Sequence, residues 1–245
     1  VTDAELAAAV AEEAGRLLLA IRNEGLHGRA LGDAGDRRAN MLILDRLRAA
    51  RPDDAILSEE STDDRSRLET RRVWIVDPVD GTREYGESRP DWAVHIGLAI
   101  DGVATTGAVA LPDQGLVLRT DRPATPPPAP ATLRMVVSRT RPAPEAITVA
   151  EALKAELVPM GSAGAKAMAI VRGEADIYLH SGGQYEWDSA APVAVAGAAG
   201  LHCSRIDGSP LIYNRPDVYL PDLLICRHEH VDRIFAALAS ARTTN

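Results

Sequence analysis

Cysteine is nearly absent from this chain. Only Cys203 and Cys226 occur in 245 residues, and no C-x-x-C spacing is present. A disulfide framework is thereby set aside in favour of packed thiols in a reducing compartment, the cytoplasm. An excess of positive charge is lacking too: 27 Lys+Arg stand against 35 Asp+Glu, a formal charge of -8. Such a balance argues against a general nucleic-acid-binding surface, so an anionic substrate needs metal ions or a few placed cations. No apolar run reaches the length of a membrane span, and the first residues carry acids rather than a basic signal sequence. The chain starts at Val1 rather than at methionine, which limits the cytoplasmic reading to the segment present. Internal repeats are absent. What remains is a globular chain, 46% hydrophobic, long enough to bury a large core as one domain or as two halves sharing an interface.

Patterning supplies the elements. Thr2-Asp3-Ala4-Glu5 has capping-box spacing, and Leu6, Val10, Leu17, Leu18 and Ile21 follow at helical intervals up to Gly25. After a polar Gly/Asp loop, Asp36 opens a second helical pattern that stops before Pro52. Short strands are expected at 55–57 and 73–76, and a three-strand meander over 92–120 with a turn at Asp101-Gly102. The proline-rich stretch 121–132 cannot join a sheet and divides an N-terminal half, 1–128, from a C-terminal half, 129–245. Beyond it we expect a strand at 133–137, helices near 145–157 and 163–172, a strand at 176–180, a helix over 188–199, two strands, and a last helix to about Ala241. Alternation of this kind indicates layered sheets covered by helices, of the α+β or α/β class.

The most informative stretch is Asp77-Pro78-Val79-Asp80-Gly81-Thr82, into which the apolar run Val73-Trp74-Ile75-Val76 feeds directly. Two carboxylates at the end of a buried strand present oxygens to a hard cation such as Mg²⁺, and the carbonyl of Val79 offers a further oxygen. Gly81 and Thr82 offer backbone N–H groups at a helix start, where a phosphate is favoured. Taken alone the string is also compatible with a solvated turn. Two other segments reduce that reading: a second strand ends in Glu59 and Glu60, and Asp188 opens a helix of small residues, where it would otherwise be an N-cap.

The order Asp36, Glu59-Glu60, Asp77 to Thr82, then Trp187-Asp188-Ser189-Ala190-Ala191 resembles the Mg²⁺-dependent, lithium-sensitive phosphomonoesterases of the inositol monophosphatase superfamily, over nearly the whole chain. The resemblance implies a layered αβαβα sandwich and two to three Mg²⁺ ions. Asp77 would bridge two of them, Glu59 and the Val79 carbonyl would complete one, and Asp80 with Asp188 would hold the other. A third, weaker ion is expected near Glu59. Thr82 would contact a metal or the attacking water and pair with Asp36, and Glu60 would stand behind Glu59. Ca²⁺ and Li⁺ would inhibit. One departure is that Asp33 stands where the family usually has threonine, three residues before Asp36.

Family membership does not fix the substrate, since the metal centre reads only the phosphate. Segments 136–140 (VVSRT) and 161–170 (GSAGAKAMAI) resemble the CysQ-type branch, which hydrolyses 3'-phosphoadenosine 5'-phosphate to AMP and phosphate. That likeness implies substrate contacts from Ser138, Arg139, Gly161, Ser162 and Lys166, beside Asp80, Gly81, Thr82 and Asp188. Lys166 could instead be a surface lysine and Tyr185 a packed residue rather than a base-stacking one. The glutamate that the inositol-preferring branch carries before its Trp-Asp is missing; His180-Ser181 stand near that place. His228 and His230 have His-x-His spacing without a third ligand and read as surface residues. Activity on inositol 1-phosphate or fructose 1,6-bisphosphate is the rival within the superfamily. A metal-binding regulatory protein without turnover is the rival outside it. The expected partner is a small phosphorylated nucleotide or sugar, with neither nucleic acid nor membrane, and a homodimer is left open.

Overall fold

The computed structural model describes residues 1–242. Helix α1 (Asp3–Arg22) begins with the expected capping box: Glu5 N–H donates to the Thr2 hydroxyl at 3.2 Å, and Thr2 N–H donates to the Glu5 carboxylate at 2.8 Å. Helix α2 (Gly28–Ala50) starts well upstream of Asp36, contrary to the sequence expectation, so Asp36 sits mid-helix. Its apolar stripe continues backwards through Ala34 to Leu31, and the glycines Gly32 and Gly35 beside them let α2 lie close on Thr82, Tyr85 and Leu18. Strand β1 (Ala55–Ser58) pairs in parallel with β2 (Arg72–Asp80). A short helix α3 (Thr82–Gly86) follows, then the antiparallel meander β3 (Ala93–Ile100), β4 (Val103–Leu111) and β5 (Leu116–Arg119). The first sheet has the order β1-β2-β3-β4-β5.

No helix or strand lies between Arg119 and Arg134, where the prolines cluster. The second sheet is built from β6 (Arg134–Ser138), β7 (Glu156–Met160), β8 (Ile177–Tyr185), β9 (His202–Ser204) and β10 (Tyr219–Cys226), in the order β7-β6-β8-β10-β9. Its helices are α4 (Pro144–Leu153), α5 (Ala163–Val171), α6 (Glu186–Ala198) and α7 (Val231–Arg242). Strand β7 corrects the expectation of a helix to 157. It is an edge strand, largely exposed, with Pro159 in it, and therefore lacks the apolar alternation that marks a strand.

Five layers result. Helices α1 and α2 cover one face of the first sheet, α5 and α6 lie between the sheets, and α4 and α7 cover the outer face of the second. This is the αβαβα sandwich. Its central joint is unusually close: a Cβ on Gly97 of β3 would stand 2.8 Å from the backbone nitrogen of Ala191, and one on Gly107 of β4 would stand 3.1 Å from the Ala191 Cα. Helix α6 thus rests its backbone on the glycines of the first sheet, which brings its first turn over the end of β2. A larger residue at either glycine would overpack the joint, at a cost of roughly 1–3 kcal/mol. Among the described residues no helix is long and apolar enough to cross a membrane. Cys203 and Cys226 are free thiols, and burial pushes both up to about 12.

Candidate active site

Strand β2 does not stop at Val76. It runs on through Asp80, with its pairing to β3 irregular between Asp77 and Asp80, and both carboxylates lie buried where β3 and the second half close over them. Helix α6 then delivers Asp188 to the same point. Asp77, Asp80 and Asp188 each place a carboxylate oxygen within 4.8 Å of the others. Among the described residues this is the group of acids, histidines or cysteines disposed to hold a metal ion.

Three carboxylates this close repel one another unless protons or a cation intervene. Burial, then the charges of Glu59, Asp80 and Asp188, hold Asp77 well above the usual carboxylate range. Burial and the Asp80 charge push Asp188 up to about 7. Burial again comes first for Glu59, which is raised and hydrogen-bonded to Asp77, and for Asp36, pushed up to about 7 by burial with Glu60 and Glu59 beside it. An all-oxygen donor set under such strain fits a hard divalent cation, which would take up the charge that the protons now neutralise.

Asp80 behaves differently. Burial works to raise it, yet it is held at about 2 by the charge and contact of His95 and by hydrogen bonds from the second half. The Ser162 hydroxyl donates to Oδ2, Ala163 N–H to Oδ1 at 3.1 Å, and Gly164 N–H to Oδ2 at 2.6 Å. The N-terminus of α5 therefore closes on a carboxylate of the other half. Gly164 is required there, since a Cβ would stand 2.0 Å from His95 Nε2. Asp188 is not the N-cap that the alternative reading would have made it. Tyr185 takes that position, and its N–H donates to Asp188 at 2.7 Å from within the same turn.

The remaining expected residues are distributed around this centre. Thr82 donates to the Val79 carbonyl at 3.0 Å and lies 3.4 Å from Asp36 Oδ1, so the Val79 oxygen already accepts one bond. Glu59 and Glu60 lie just past β1 and keep part of their surface in solvent, while the Glu59 carboxyl turns inward against Asp77. Gly81 has a positive φ and caps α3, whose five residues are too few to build much of the dipole that the sequence argument invoked. Arg139 is paired with Glu84 at 2.7 Å and Glu87 at 3.1 Å, and the Ser138 hydroxyl accepts from Arg141 N–H at 3.1 Å. Gly161 N–H donates to Asp91 at 2.6 Å. Lys166 is no surface residue: it is 5% exposed, its ammonium donates to the carbonyls of Gly161 (2.8 Å) and Ser162 (2.7 Å), and burial brings it down to about 8. It braces from behind the loop that holds Asp80. His230, expected at the surface, is buried, whereas His228 is exposed.

His95 was missed. It is wholly buried in β3, opposite Asp77, with Nδ1 donating to the Trp187 carbonyl at 2.9 Å and Nε2 3.1 Å from Asp80. Burial opposes its charge, but the neighbouring carboxylate outweighs this and raises it. The signal was available: one histidine in the otherwise apolar "WAVHIGLAI", on the strand beside the acids.

The Inositol monophosphatase family matches residues 3–242 of the chain. Over 242 residues the chain is 56% identical to the 3'-phosphoadenosine 5'-phosphate phosphatase of Mycobacterium leprae, which covers 92% of this chain and 89% of that protein. Among solved structures it superposes on CysQ from Bacteroides thetaiotaomicron with a TM-score of 0.79 at 26% identity, covering 92% of this chain and 97% of that one. The inositol monophosphatase II of Staphylococcus aureus shares the fold, with a TM-score of 0.80 at 20% identity over 94% and 93% of the two chains.

Proposed function

Because this chain belongs to the inositol monophosphatase family, we propose that it is a Mg²⁺-dependent phosphomonoesterase hydrolysing 3'-phosphoadenosine 5'-phosphate to AMP and phosphate. The observation that carries the reading is the convergence of Asp77, Asp80 and Asp188 in a chain this similar to a phosphatase of that substrate. Asp77, Asp80, Asp188, Glu59 and the Val79 carbonyl would hold two to three Mg²⁺ ions. When bound, these ions lower the pKa of water and neutralise charge on the ester. Thr82 orients the attacking water, its hydroxyl placed between the Val79 carbonyl and Asp36, which holds it in position. Backbone N–H groups of Gly81 and Thr82 meet the scissile phosphate. We assign Ser138, Arg139, Gly161, Ser162 and Lys166 to recognition of the uncleaved 5'-phosphate and the nucleoside, with Lys166 acting from behind the Gly161-Ser162 loop.

Recognition of a base has support beside the metal site. Tyr185, 41% exposed, stacks on Trp187 with ring centroids 5.1 Å apart and meets Tyr219 edge-on at 5.9 Å. An exposed tyrosine stacked on a half-buried tryptophan, three residues or fewer from Asp188, suits a purine better than a polyol. We assign the protein to the cytoplasm as a small-molecule enzyme, inhibited by Ca²⁺ and Li⁺.

Phosphate release from 3'-phosphoadenosine 5'-phosphate, inositol 1-phosphate and fructose 1,6-bisphosphate, with Mg²⁺ and with chelator, tests the proposal. The bisphosphorylated nucleotide should be preferred and chelator should abolish turnover. Preference for inositol 1-phosphate would transfer the enzyme to the rival branch. Full activity in chelator would overturn the metal mechanism.

A further inference from the structure

Arg67 is an arginine buried to 2% exposure, seven residues past Glu60, and all five of its N–H donors are placed. Nε and Nη2 donate to Asp63 at 3.1 and 2.7 Å. Nη1 donates to the Asn214 side-chain oxygen at 2.8 Å, and both Nη1 and Nη2 reach the Arg215 carbonyl at 3.1 Å. Asn214 answers by donating from Nδ2 to the Arg67 carbonyl at 3.0 Å, and it holds a left-handed φ of 56° to do so. The backbone N–H groups of Asn214 and Arg215 then both donate to one carboxylate, Glu186, at 2.7 and 2.8 Å. Glu186 is 1% exposed and is the first residue of α6. A continuous polar chain thus runs from the loop behind Glu59-Glu60 in the first half to the turn that carries Asp188.

Buried charge of this kind adds little net stability, so its use is better sought in placement. Placement is what the first turn of α6 needs. Pro192 has no N–H, so the carbonyl of Asp188 lacks its helical donor and the turn is one bond short from within. The glycines of β3 and β4 locate α6 further along, at Ala190 and Ala191, and leave its end to be fixed by something else. We propose that Arg67, Asn214 and Glu186 form a clamp that sets Asp188 against Asp77 and Asp80, making them positioning residues for the cation site. The proposal rests on the reading of those three carboxylates as cation ligands.

Cation binding measured without turnover tests it. Mg²⁺ is titrated calorimetrically, and Mn²⁺ by electron paramagnetic resonance, into the wild type and into Arg67→Lys, Glu186→Gln and Asn214→Gly. Asn214→Gly suits the left-handed backbone and keeps both amides on Glu186, so it folds even where the others fail, and it removes only the side-chain links to Arg67 and to the Thr70 carbonyl. Cation affinity should fall by about ten- to a hundredfold, as when groups that orient a ligand are removed. The Mg²⁺ needed for half-maximal phosphate release should rise in step, with KM at saturating Mg²⁺ unchanged. Arg67→Lys combined with Asn214→Gly should be no worse than the more severe of the two, since both break one chain. Unaltered cation affinity in folded variants, with only the thermal midpoint in chelator lowered, would reduce the chain to a structural tie and overturn the clamp. A wild type that binds neither cation would instead overturn the ligand reading on which the clamp rests.

Discussion

Asp80 and Asp188 are the same side chain, a few ångströms apart, in opposite conditions. Asp80 comes from the first half and is gripped by the second: Ser162, Ala163, Gly164 and His95 converge on it and keep it ionised at about 2. Asp188 comes from the second half, receives one backbone N–H from its own turn, and faces the charges of the first half with its pKa near 7. The difference teaches what each is for. One carboxylate is a permanent anion that ties the halves together whether or not a cation is present. The other sheds its proton only near neutral pH, and sooner when a cation joins it.

The largest test of that contrast is turnover. Asp80→Asn and Asp188→Asn should both lose about a thousandfold or more in phosphate release, because each removes charge from the cation site and several kcal/mol of transition-state stabilisation. Near wild-type rates in either variant at moderate Mg²⁺ would remove that residue from the ligand set.

Lys166 sharpens the comparison on the Asp80 side. Its ammonium braces the Gly161-Ser162 loop and faces the Asp80 carboxylate. If it also meets the uncleaved 5'-phosphate, Lys166→Ala should lose roughly ten- to a hundredfold in kcat/KM on 3'-phosphoadenosine 5'-phosphate, a charge-assisted contact of about 1.5–3 kcal/mol. Hydrolysis of 3'-AMP should be spared. Equal losses on both substrates would make it a brace for Asp80 and nothing more.

Stability in chelator should separate the two aspartates by sign. The raised pKa of Asp188 means that its contribution to folding is complete below about pH 4 and is lost as pH rises through 7. Asp188→Asn should therefore stabilise the metal-free protein at pH 8, by about 1–2 kcal/mol. Asp80, depressed to about 2, contributes above pH 4 and loses that only as pH falls through 2, so Asp80→Asn should destabilise at pH 8. Denaturant midpoints in chelator decide this, and like signs for the two variants would erase the contrast.

The smallest effect is in pH. Asp188, near 7, must shed its proton for a cation to bind, so Mg²⁺ affinity should weaken by about tenfold per pH unit below 7 for that proton. Calorimetry at pH 6 and pH 8 in buffers of different ionisation enthalpy would count that proton, and zero release would contradict the raised value.

Much of this was legible because the signals were local. The box Thr2-x-x-Glu5, the meander around Asp101-Gly102 and the acids after β1 and at the end of β2 all report on neighbours in sequence. What the sequence concealed is what depends on distant partners. Strand β7 reads as helix because an exposed edge carries no alternation. The start of α2 reads as loop because its glycines and aspartates are tolerated only by packing on α3 and α1. His95 and Arg67 look unremarkable alone, and their partners stand 92 and 147 residues further on.

The bare glycines Gly97 and Gly107 have a consequence in time rather than in space. During synthesis the first sheet is complete by residue 119, but the helix that covers its glycine floor begins at 186. For that interval a nascent chain displays an uncovered apolar face of a five-stranded sheet, with β5 as an open edge. A fragment ending in the proline-rich stretch should therefore be prone to self-association and a ready client for chaperones. The whole chain, once α6 docks, buries the adhesive surface and gathers Asp77, Asp80 and Asp188 in the same movement.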